Sequence, residues 1–352
     1  MEEKERIEHL SNLFGPSGFE DEVSDYVCAE LGSLGLQKDH MRNLSGAFGM
    51  DGPLVMLDAH LDEVGLIVQA IKPDGTMRFL TLGRMAPEAV AACSFRIRTD
   101  QGTYVPAVVA CKPPHFRSSL EKNMPLDISS MVLDCGTSSK EETEALGISI
   151  GSPAAPDVVC RYDQNLHRFY GKAFDCRIGV AAEIETLKRL EREGFDHLSC
   201  RVGASFAVQE EVGERGVLVN ASRLQPDVMI CFEGCPADDT FSEDYMVQAA
   251  LGKGPMLRNM DVSMITNWRF QKFAVDLAKQ CGIPVQQSVR AGGGTNAAAV
   301  NSRFGTPAIV IGIPVRYIHS PNCFVDERDY ENAVKLAVAL VHALTASNVG
   351  KL

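Results

Sequence analysis

Two histidines and several carboxylates lie at, or just beyond, the ends of short aliphatic runs. They are His60, Asp62, Glu63, Asp175, Glu210, Glu211, Glu233 and His319. Imidazole nitrogens and carboxylate oxygens without a thiolate form a ligand set that suits Zn, Co or Mn. The set is large enough for two metal ions that share one carboxylate and each take one histidine and one further carboxylate.

Each of these residues also has a structural explanation. A lone histidine after a strand is more often structural than functional. The neighbouring carboxylates of Asp62 and Glu63 nevertheless favour a ligand role for His60, because a ligating imidazole needs an acceptor for its other ring N–H. Asp175 could equally be the N-cap of a helix. That role is compatible with metal binding, since a carboxylate at a strand–helix junction can also face a metal.

The adjacent acids Glu210 and Glu211 follow an apolar run over residues 204–208. A solvated loop would tolerate such a pair, but the apolar run predicts that both lie at the floor of a cleft. Carboxylates forced together can take different tasks, one binding a metal and one moving protons. Glu233 ends the run 228–232 in the same way.

The elements that must position these residues alternate between strand-like and helix-like patterns. A break at residues 15–18 separates two N-terminal helices. We predict further strands at 54–57, 204–208, 228–232 and 308–313, and helices at 268–281 and 327–344. Strands that alternate with helices indicate a layered α/β domain.

Between residues 69 and 163 the pattern changes. Short strand-like runs at 77–82, 94–98, 104–110 and 131–134 are separated by Gly, Pro, Asp and Ser. Such runs are typical of a small β-rich module. We therefore predict an α/β domain formed by residues 1–68 and 164–352, interrupted by a β-rich insertion at 69–163.

Composition excludes several classes of function. The net charge of −12 argues against nucleic-acid binding, which needs clustered Lys and Arg. No run approaches the roughly 20 apolar residues of a membrane span, and the charged N-terminus does not resemble a secretory signal. The 11 cysteines include no C-x-x-C pair, so a disulfide framework or zinc ribbon is not expected. These features predict a cytoplasmic protein.

Six motifs, in order along nearly the whole chain, resemble the tetrahedral-type (TET) glutamyl aminopeptidase family of cocatalytic metallopeptidases, some members of which are labelled endoglucanases. They are Gly15–Glu20 (GPSGFE), Asp58–Gly65 (DAHLDEVG), Phe174–Gly179 (FDCRIG), Val208–Gly213 (VQEEVG), Gly293–Asn296 (GGTN) and Ile313–Ser320 (IPVRYIHS). The resemblance implies a three-layer α/β peptidase domain with a mixed sheet and a barrel-like insertion. It also implies that the insertion drives dimer formation and that dimers often assemble into a hollow dodecamer.

The resemblance further implies a role for each site residue. His60, Asp175 and Glu233 would hold one metal ion, and Asp175, Glu211 and His319 would hold the other, with Asp175 bridging. Asp62 would orient His60. Glu210 would be the general base that activates water to release N-terminal residues from peptides.

Three positions depart from the family pattern. Glu233 stands where the family often has Asp, which keeps a carboxylate on a longer arm. Cys176 follows the bridging aspartate where Asp or Asn is common, and Asn296 replaces a frequent Asp. The last two could change the tuning of the metals or the substrate preference.

Alternative functions stay open at this point. Another di-metal amide hydrolase, such as a deacylase or a carboxypeptidase-like enzyme, would use the same ligands. A glycoside hydrolase would use paired carboxylates but would leave His60 and His319 unexplained. A metal-dependent scaffold would have no need for Glu210. Acidic, basic and aliphatic N-terminal residues are all preferred by some members of the family, and the sequence does not select among them.

Overall fold

The structure, a computed structural model, describes residues 3–352, so the first two residues of the predicted α/β domain lie outside the described part. The strands are β1 (Gln37–Lys38), β2 (Leu44–Phe48), β3 (Leu54–His60), β4 (Gly65–Ile71), β5 (Met77–Leu82), β6 (Ser94–Arg98), β7 (Tyr104–Ala110), β8 (Val132–Asp134), β9 (Pro153–Pro156), β10 (Arg161–Asp163), β11 (Arg168–Gly171), β12 (Arg201–Ala207), β13 (Val228–Pro236), β14 (Met256–Met260), β15 (Gln286–Val289), β16 (Ala308–Arg316) and β17 (Cys323–Asp326).

The helices connect and cover these strands. They are α1 (Glu3–Asn12), α2 (Asp21–Glu30), α3 (Pro87–Val90), α4 (Ser119–Lys122), α5 (Lys140–Ala145), α6 (Phe174–Glu193), α7 (Arg215–Leu224), α8 (Trp268–Gln280), α9 (Asn296–Phe304), α10 (Glu327–Ala343) and α11 (Ala346–Val349). Within residues 3–352, no helix combines the length and apolar character that crossing a membrane requires.

A mixed sheet of 11 strands forms the middle layer. Its order is β1-β2-β12-β3-β13-β16-β17-β11-β10, and β14 pairs with both β16 and β15. The four central strands, β12, β3, β13 and β16, run parallel to one another, whereas β2 and β17 flank them in the antiparallel direction. Central parallel strands are covered on both faces, which explains why they appear in the sequence as continuous aliphatic runs.

Alternation along the strands divides the core between the two faces of this sheet. Val55, Leu57 and Ala59 of β3 join the cluster that includes α6 and α10, whereas Met56 joins the cluster built with α7 and α9. Successive side chains of a strand point to opposite faces. The result is a three-layer arrangement with α1, α6, α8 and α10 on one face and α7 and α9 on the other.

The insertion forms a closed six-stranded barrel in the order β4-β5-β8-β7-β6-β9. Its interior is a separate hydrophobic cluster that includes Leu66, Phe79, Phe95, Ile97 and Leu133. Closure removes the free strand edges that an open sheet of this size would expose. The predicted fold class, a three-layer α/β domain interrupted by a small barrel-like unit, is confirmed.

The barrel strands run from Gly65 to Pro156, whereas β10 pairs with β11 in the large sheet. The predicted insertion at residues 69–163 overlaps this barrel. The first barrel strand begins at Gly65, only a few residues after His60, and no change in amino-acid composition marks this boundary. Its role in forming a dimer stays a prediction.

The strands and helices predicted from aliphatic runs and helical periodicity are present, with ends displaced by a few residues. The strands that were not predicted from the sequence are mostly short, and some are polar. β14 and β15, for example, carry the sequences MLRNM and QQSV. They form because they extend the sheet beside β16, which is a tertiary interaction that local patterns do not show.

Candidate active site

The carboxyl ends of the central parallel strands meet at one edge of the sheet, which is where α/β folds place their ligand groups. His60 is the last residue of β3 and aligns with Ala207, the last residue of β12. Glu210 and Glu211 lie in the loop after β12, and Glu233 lies near the same level on β13. The four strands thus bring together side chains that are far apart in the sequence.

Asp175 reaches the same edge from the start of α6. It has a non-helical backbone, and its peptide bond to Cys176 is cis. The neighbouring strand β13 approaches Asp175 so closely that a Cβ atom at Gly234 would lie 2.9 Å from Asp175 Cα. A glycine is therefore needed at position 234. His319 arrives from the loop after β16, with φ = 58°.

Asp175 lies between the two histidines. Its Oδ1 is 3.1 Å from His60 Nε2, and its Oδ2 is 3.1 Å from His319 Nε2. Glu233 Oε1 lies 3.2 Å from His60 Nε2, and Glu211 Oε1 lies 3.4 Å from His319 Nε2. The structure thus forms two groups of potential ligands that share Asp175.

Other groupings of potential ligand atoms overlap with these two. Cys176 belongs to the group of His60, Asp175 and Glu233, and its Sγ also donates to the Phe232 carbonyl at 3.3 Å. Glu210 and Glu211 form a further group with His60. Glu210 Oε2, however, is 4.0 Å from His60 Nε2.

Asp62 holds several parts of the site in place. His60 Nδ1 lies 3.1 Å from the Asp62 carbonyl and 3.4 Å from its carboxylate. The same carboxylate accepts hydrogen bonds from the backbone N–H groups of Glu210 and Glu211, at 2.9 and 3.1 Å, and from Ser17 Oγ at 2.6 Å. Asp62 therefore fixes both the imidazole and the glutamate pair.

Glu63 does not contact His60, although it is close in sequence. It binds Lys172 Nζ at 2.6 Å and Arg177 Nη2 at 3.3 Å. Sequence reasoning did not identify Ser17, Lys172 or Arg177 as supports of the site. Ser17 and Arg177 belong to two of the six sequence motifs, but the motifs did not indicate which residues these side chains contact.

Burial and crowding of like charges perturb the titration of the cluster. Burial raises the pKa of Glu210 and of Glu211 well above the ordinary value, and nearby carboxylates raise it further. Burial raises the pKa of Glu233 to about 7. Burial would lower the pKa of His60, but Glu233 and Glu210 raise it well above its usual range.

Several carboxylate oxygens of the cluster lack a hydrogen-bond donor. They are both oxygens of Glu233 and Oε1 of Glu211, and all three are buried. His60 Nε2 can carry one proton at most, so it cannot serve Asp175 and Glu233 together. Buried carboxylates without a counter-charge are costly. The donor set and its missing partners therefore fit divalent cations.

A pocket of about 500 Å³ opens in front of the cluster. Beyond the ligand residues, its wall includes Arg84 from the barrel and Glu214, Arg258 and Ser263 from the large domain. Neither Arg84 nor Arg258 was predicted from the sequence. A single arginine in or beside a short strand carries no pattern that distinguishes it from a surface residue.

Comparisons with known proteins agree with this geometry. The profile of the family described as M42 glutamyl aminopeptidase matches residues 43–336. The chain is 31% identical to the glutamyl aminopeptidase of Lactococcus lactis, covering 100% of this chain and 99% of that protein. It is 34% identical to the lysyl aminopeptidase of Pyrococcus furiosus, covering 94% of each.

The fold also matches a solved relative. The crystal structure of a TET aminopeptidase from the marine sediment archaeon Thaumarchaeota archaeon SCGC AB-539-E09 superimposes with a TM-score of 0.95, at 34% identity and with 99% of both chains covered. The motifs that suggested the resemblance thus belong to a fold and a sequence shared over the full length. This chain belongs to the M42 glutamyl aminopeptidase family and is a peptide-bond hydrolase.

Proposed function

We propose that the protein is a metal-dependent aminopeptidase that uses two divalent cations. His60, Asp175 and Glu233 would hold one cation, and Asp175, Glu211 and His319 would hold the other. The observation that carries this proposal is the position of Asp175, whose two oxygens each lie 3.1 Å from a different histidine. The ligand types suit Zn, Co or Mn.

When bound, such a pair of cations would lower the pKa of a water molecule and polarise a scissile carbonyl. The chain's own residues supply the rest of the chemistry. Glu210 takes the proton from the attacking water and delivers it to the leaving amine, as general acid–base catalysis requires. Glu210 suits this task because Glu211 lies closer to a histidine, which leaves Glu210 free to move protons.

Asp62 acts through other residues. Its contact with Nδ1 fixes the orientation of His60 and leaves Nε2 facing the cluster. Its bonds to two consecutive backbone N–H groups place Glu210 and Glu211.

The carboxylates at the pocket floor would also receive the free α-amine of a peptide, which accounts for cleavage at the N-terminus. Two histidines among the carboxylates favour this function over a glycoside hydrolase, which needs no imidazole ligand.

Metal removal tests the proposal directly. The purified protein is dialysed against a chelator, its metal content is measured, and hydrolysis of aminoacyl anilides and N-blocked peptides is followed before and after adding Zn, Co or Mn. We expect two ions per chain and metal-dependent release of N-terminal residues. Full activity of the metal-free protein would refute the proposal, and cleavage of N-blocked substrates would indicate a different di-metal amide hydrolase.

We also propose that the chain self-associates through its barrel into dimers and that the dimers form a dodecamer. Large apolar side chains are exposed both on the barrel and on the large domain, including Phe116, Leu120, Phe241 and Trp268, each at least 64% exposed. Exposed apolar groups of this kind mark interaction surfaces when they cluster. Sedimentation should give a dodecamer, and a monomeric wild type would exclude this assembly.

A further inference from the structure

Glu20 is a buried glutamate that the proposed metal chemistry does not use. It ends the first of the six motifs, GPSGFE, directly before α2, and it is 1% exposed. Its Oε1 accepts hydrogen bonds from the backbone N–H groups of Gly18, at 2.8 Å, and Gln209, at 3.1 Å. Within residues 3–352, its Oε2 has no partner. Burying a carboxyl group that is only half satisfied is costly, so an apolar side chain would suit this position better unless the bonds of Oε1 were needed.

The bond to Gln209 reaches the loop that carries Glu210. Gln209 directly precedes Glu210 and has φ = 57°, a left-handed conformation that is uncommon for residues with a side chain. Such a backbone persists where the surrounding contacts hold it. The Gln209 carbonyl accepts from the Arg215 N–H at the start of α7, at 3.2 Å, and the Gln209 N–H is held by Glu20. Glu20 thus fixes the turn from which the Glu210 side chain projects.

Glu20 and Asp62 together accept three consecutive N–H groups of this loop. Glu20 accepts the first, from Gln209, and Asp62 accepts the second and third, at 2.9 and 3.1 Å. The GPSGFE motif supports Asp62 as well, because Ser17 Oγ donates to its Oδ2 at 2.6 Å. No residue of this motif belongs to the two proposed ligand groups, yet the motif contacts the loop directly through Glu20 and supports it indirectly through Ser17.

We propose that Glu20 is a positioning residue for the general base: it holds the Gln209 N–H so that the Glu210 carboxylate meets the attacking water. This inference rests on the proposed function, in which Glu210 moves the proton. Its physical basis is that catalysis depends steeply on geometry, since a misplacement of about 1 Å can slow a reaction by about 100-fold. Glu20 does not line the pocket and acts through the backbone.

Glu20 serves as a hydrogen-bond acceptor rather than as a charge. Burial raises the pKa of its carboxyl group to about 8, and the nearby charge of Asp62 contributes to this rise. The group is therefore mostly protonated at neutral pH. A protonated carboxyl group still offers its carbonyl oxygen to the two N–H groups, and the carbonyl oxygen of a glutamine side chain can do the same. Glutamine should therefore replace Glu20 with little loss, whereas a residue without an acceptor should not.

The first experiment removes the acceptor. In the metal-loaded protein, Glu20→Met should lower kcat by about 10- to 100-fold on the aminoacyl anilide that the wild type cleaves best. KM and the metal content should stay at the wild-type values, because the contacts to substrate and metal are unchanged. Glu20→Gln should retain most of kcat. Glu22→Met is the matched control and should keep the wild-type rate: Glu22 also accepts a backbone N–H, from Phe14 at 3.1 Å, but that N–H lies outside the loop of Glu210.

A double-mutant cycle supplies the readout that a loss of stability would not produce. In the Glu210→Gln background no base is left to misplace, so adding Glu20→Met should change the residual kcat far less than it does in the wild type. A residue that only stabilised the fold would lower kcat by the same factor in both backgrounds, because independent effects add. Urea unfolding with metal bound checks that all four proteins are folded under the assay conditions.

Two results would overturn the inference. One is a folded, metal-loaded Glu20→Met protein with the wild-type kcat, and the other is an equal loss of kcat in both backgrounds. If Glu20→Met does not fold, Glu20→Asp makes the same test, because its shorter side chain keeps a carboxyl group but draws it away from the Gln209 N–H. Failure of the proposed function would look different, because Glu210→Gln would then itself turn over at a near-normal rate.

Discussion

Two clusters of buried charge lie side by side in this protein, and they differ in how their charges are balanced. In the first, Glu63 binds Lys172 and Arg177, and Arg177 also donates to the carbonyls of Leu10 and Leu61 at 2.8 Å. In the second, the carboxylates around Asp175 and the two histidines include buried oxygens with no donor.

The difference separates a structural cluster from a binding site. A buried ion pair that is fully bonded holds segments together, whereas a buried charge without a partner is costly unless something supplies the partner. The charge of Glu63 is balanced within the chain, whereas the second cluster holds more carboxylates than its two imidazoles can balance and leaves part of its charge for a ligand.

The largest effect should come from a residue of the second cluster that binds no metal. Glu210→Gln should lower kcat by about 100- to 10,000-fold, because it removes the group that moves the proton. Metal content, measured by elemental analysis, should stay at the wild-type value. Glu214→Gln, a change in another glutamate of the same pocket, should retain most of the activity. Near-normal turnover by Glu210→Gln would remove Glu210 from the mechanism.

Breaking the first cluster should affect stability instead. Lys172→Met leaves Glu63 with Arg177 alone and should cost about 3–5 kcal/mol in the free energy of unfolding, as expected when one partner of a buried pair is removed. The double variant Lys172→Met, Glu63→Gln should recover part of this loss, because Glu63 no longer carries a buried charge and Arg177 keeps its bonds to the carbonyls of Leu10 and Leu61. Urea unfolding with the metals bound measures both. If the two variants were equally stable, the charge of Glu63 would not be what destabilises Lys172→Met.

The sequence allowed more to be predicted about the second cluster than about the first. His60, Asp175, Glu210, Glu211, Glu233 and His319 were identified before the structure because each one follows a recognisable aliphatic run or belongs to a motif, and the structure brings them together. The central strands were predictable for the same physical reason, since burial on both faces requires a continuous apolar run.

The contacts that support these residues were not predictable. Lys172 and Glu63 are separated by the whole barrel in sequence, and nothing local marks either as buried. The position of Arg258 depends on the pairing of β14 with β16. The sequence of β14, MLRNM, resembles a loop and does not reveal this pairing. The start of β4 at Gly65 has no local signal, because β4 follows the strand of His60 with no change in composition. In each case, tertiary context decides the outcome.

Removing the orienting carboxylate tests how the second cluster is held. Asp62→Asn should weaken metal binding by about 10- to 100-fold, the range for outer partners of ligating histidines. The amide can no longer accept from both glutamate N–H groups and from Ser17 at the same time. Ser17→Ala, which removes a single donor to Asp62, should weaken binding less. Metal titration by calorimetry measures both, and an unchanged affinity in Asp62→Asn would show that His60 is oriented by the backbone alone.

The smallest expected effect is that of Glu233→Gln on the free energy of unfolding. It tests the difference between the two clusters most sharply, because its sign should reverse when metal is added. In the metal-free protein, Glu233→Gln replaces a buried carboxylate whose two oxygens lack donors, so it should raise the free energy of unfolding by roughly 1–2 kcal/mol. With metal in excess the wild type should become the more stable protein, because the stability added by a ligand that binds the folded state rises with the logarithm of its affinity. Urea unfolding with chelator and with metal gives both values. A variant that is less stable than the wild type even in chelator would mean that Glu233 is already balanced within the chain, as Glu63 is, and the distinction between the two clusters would fail at that residue.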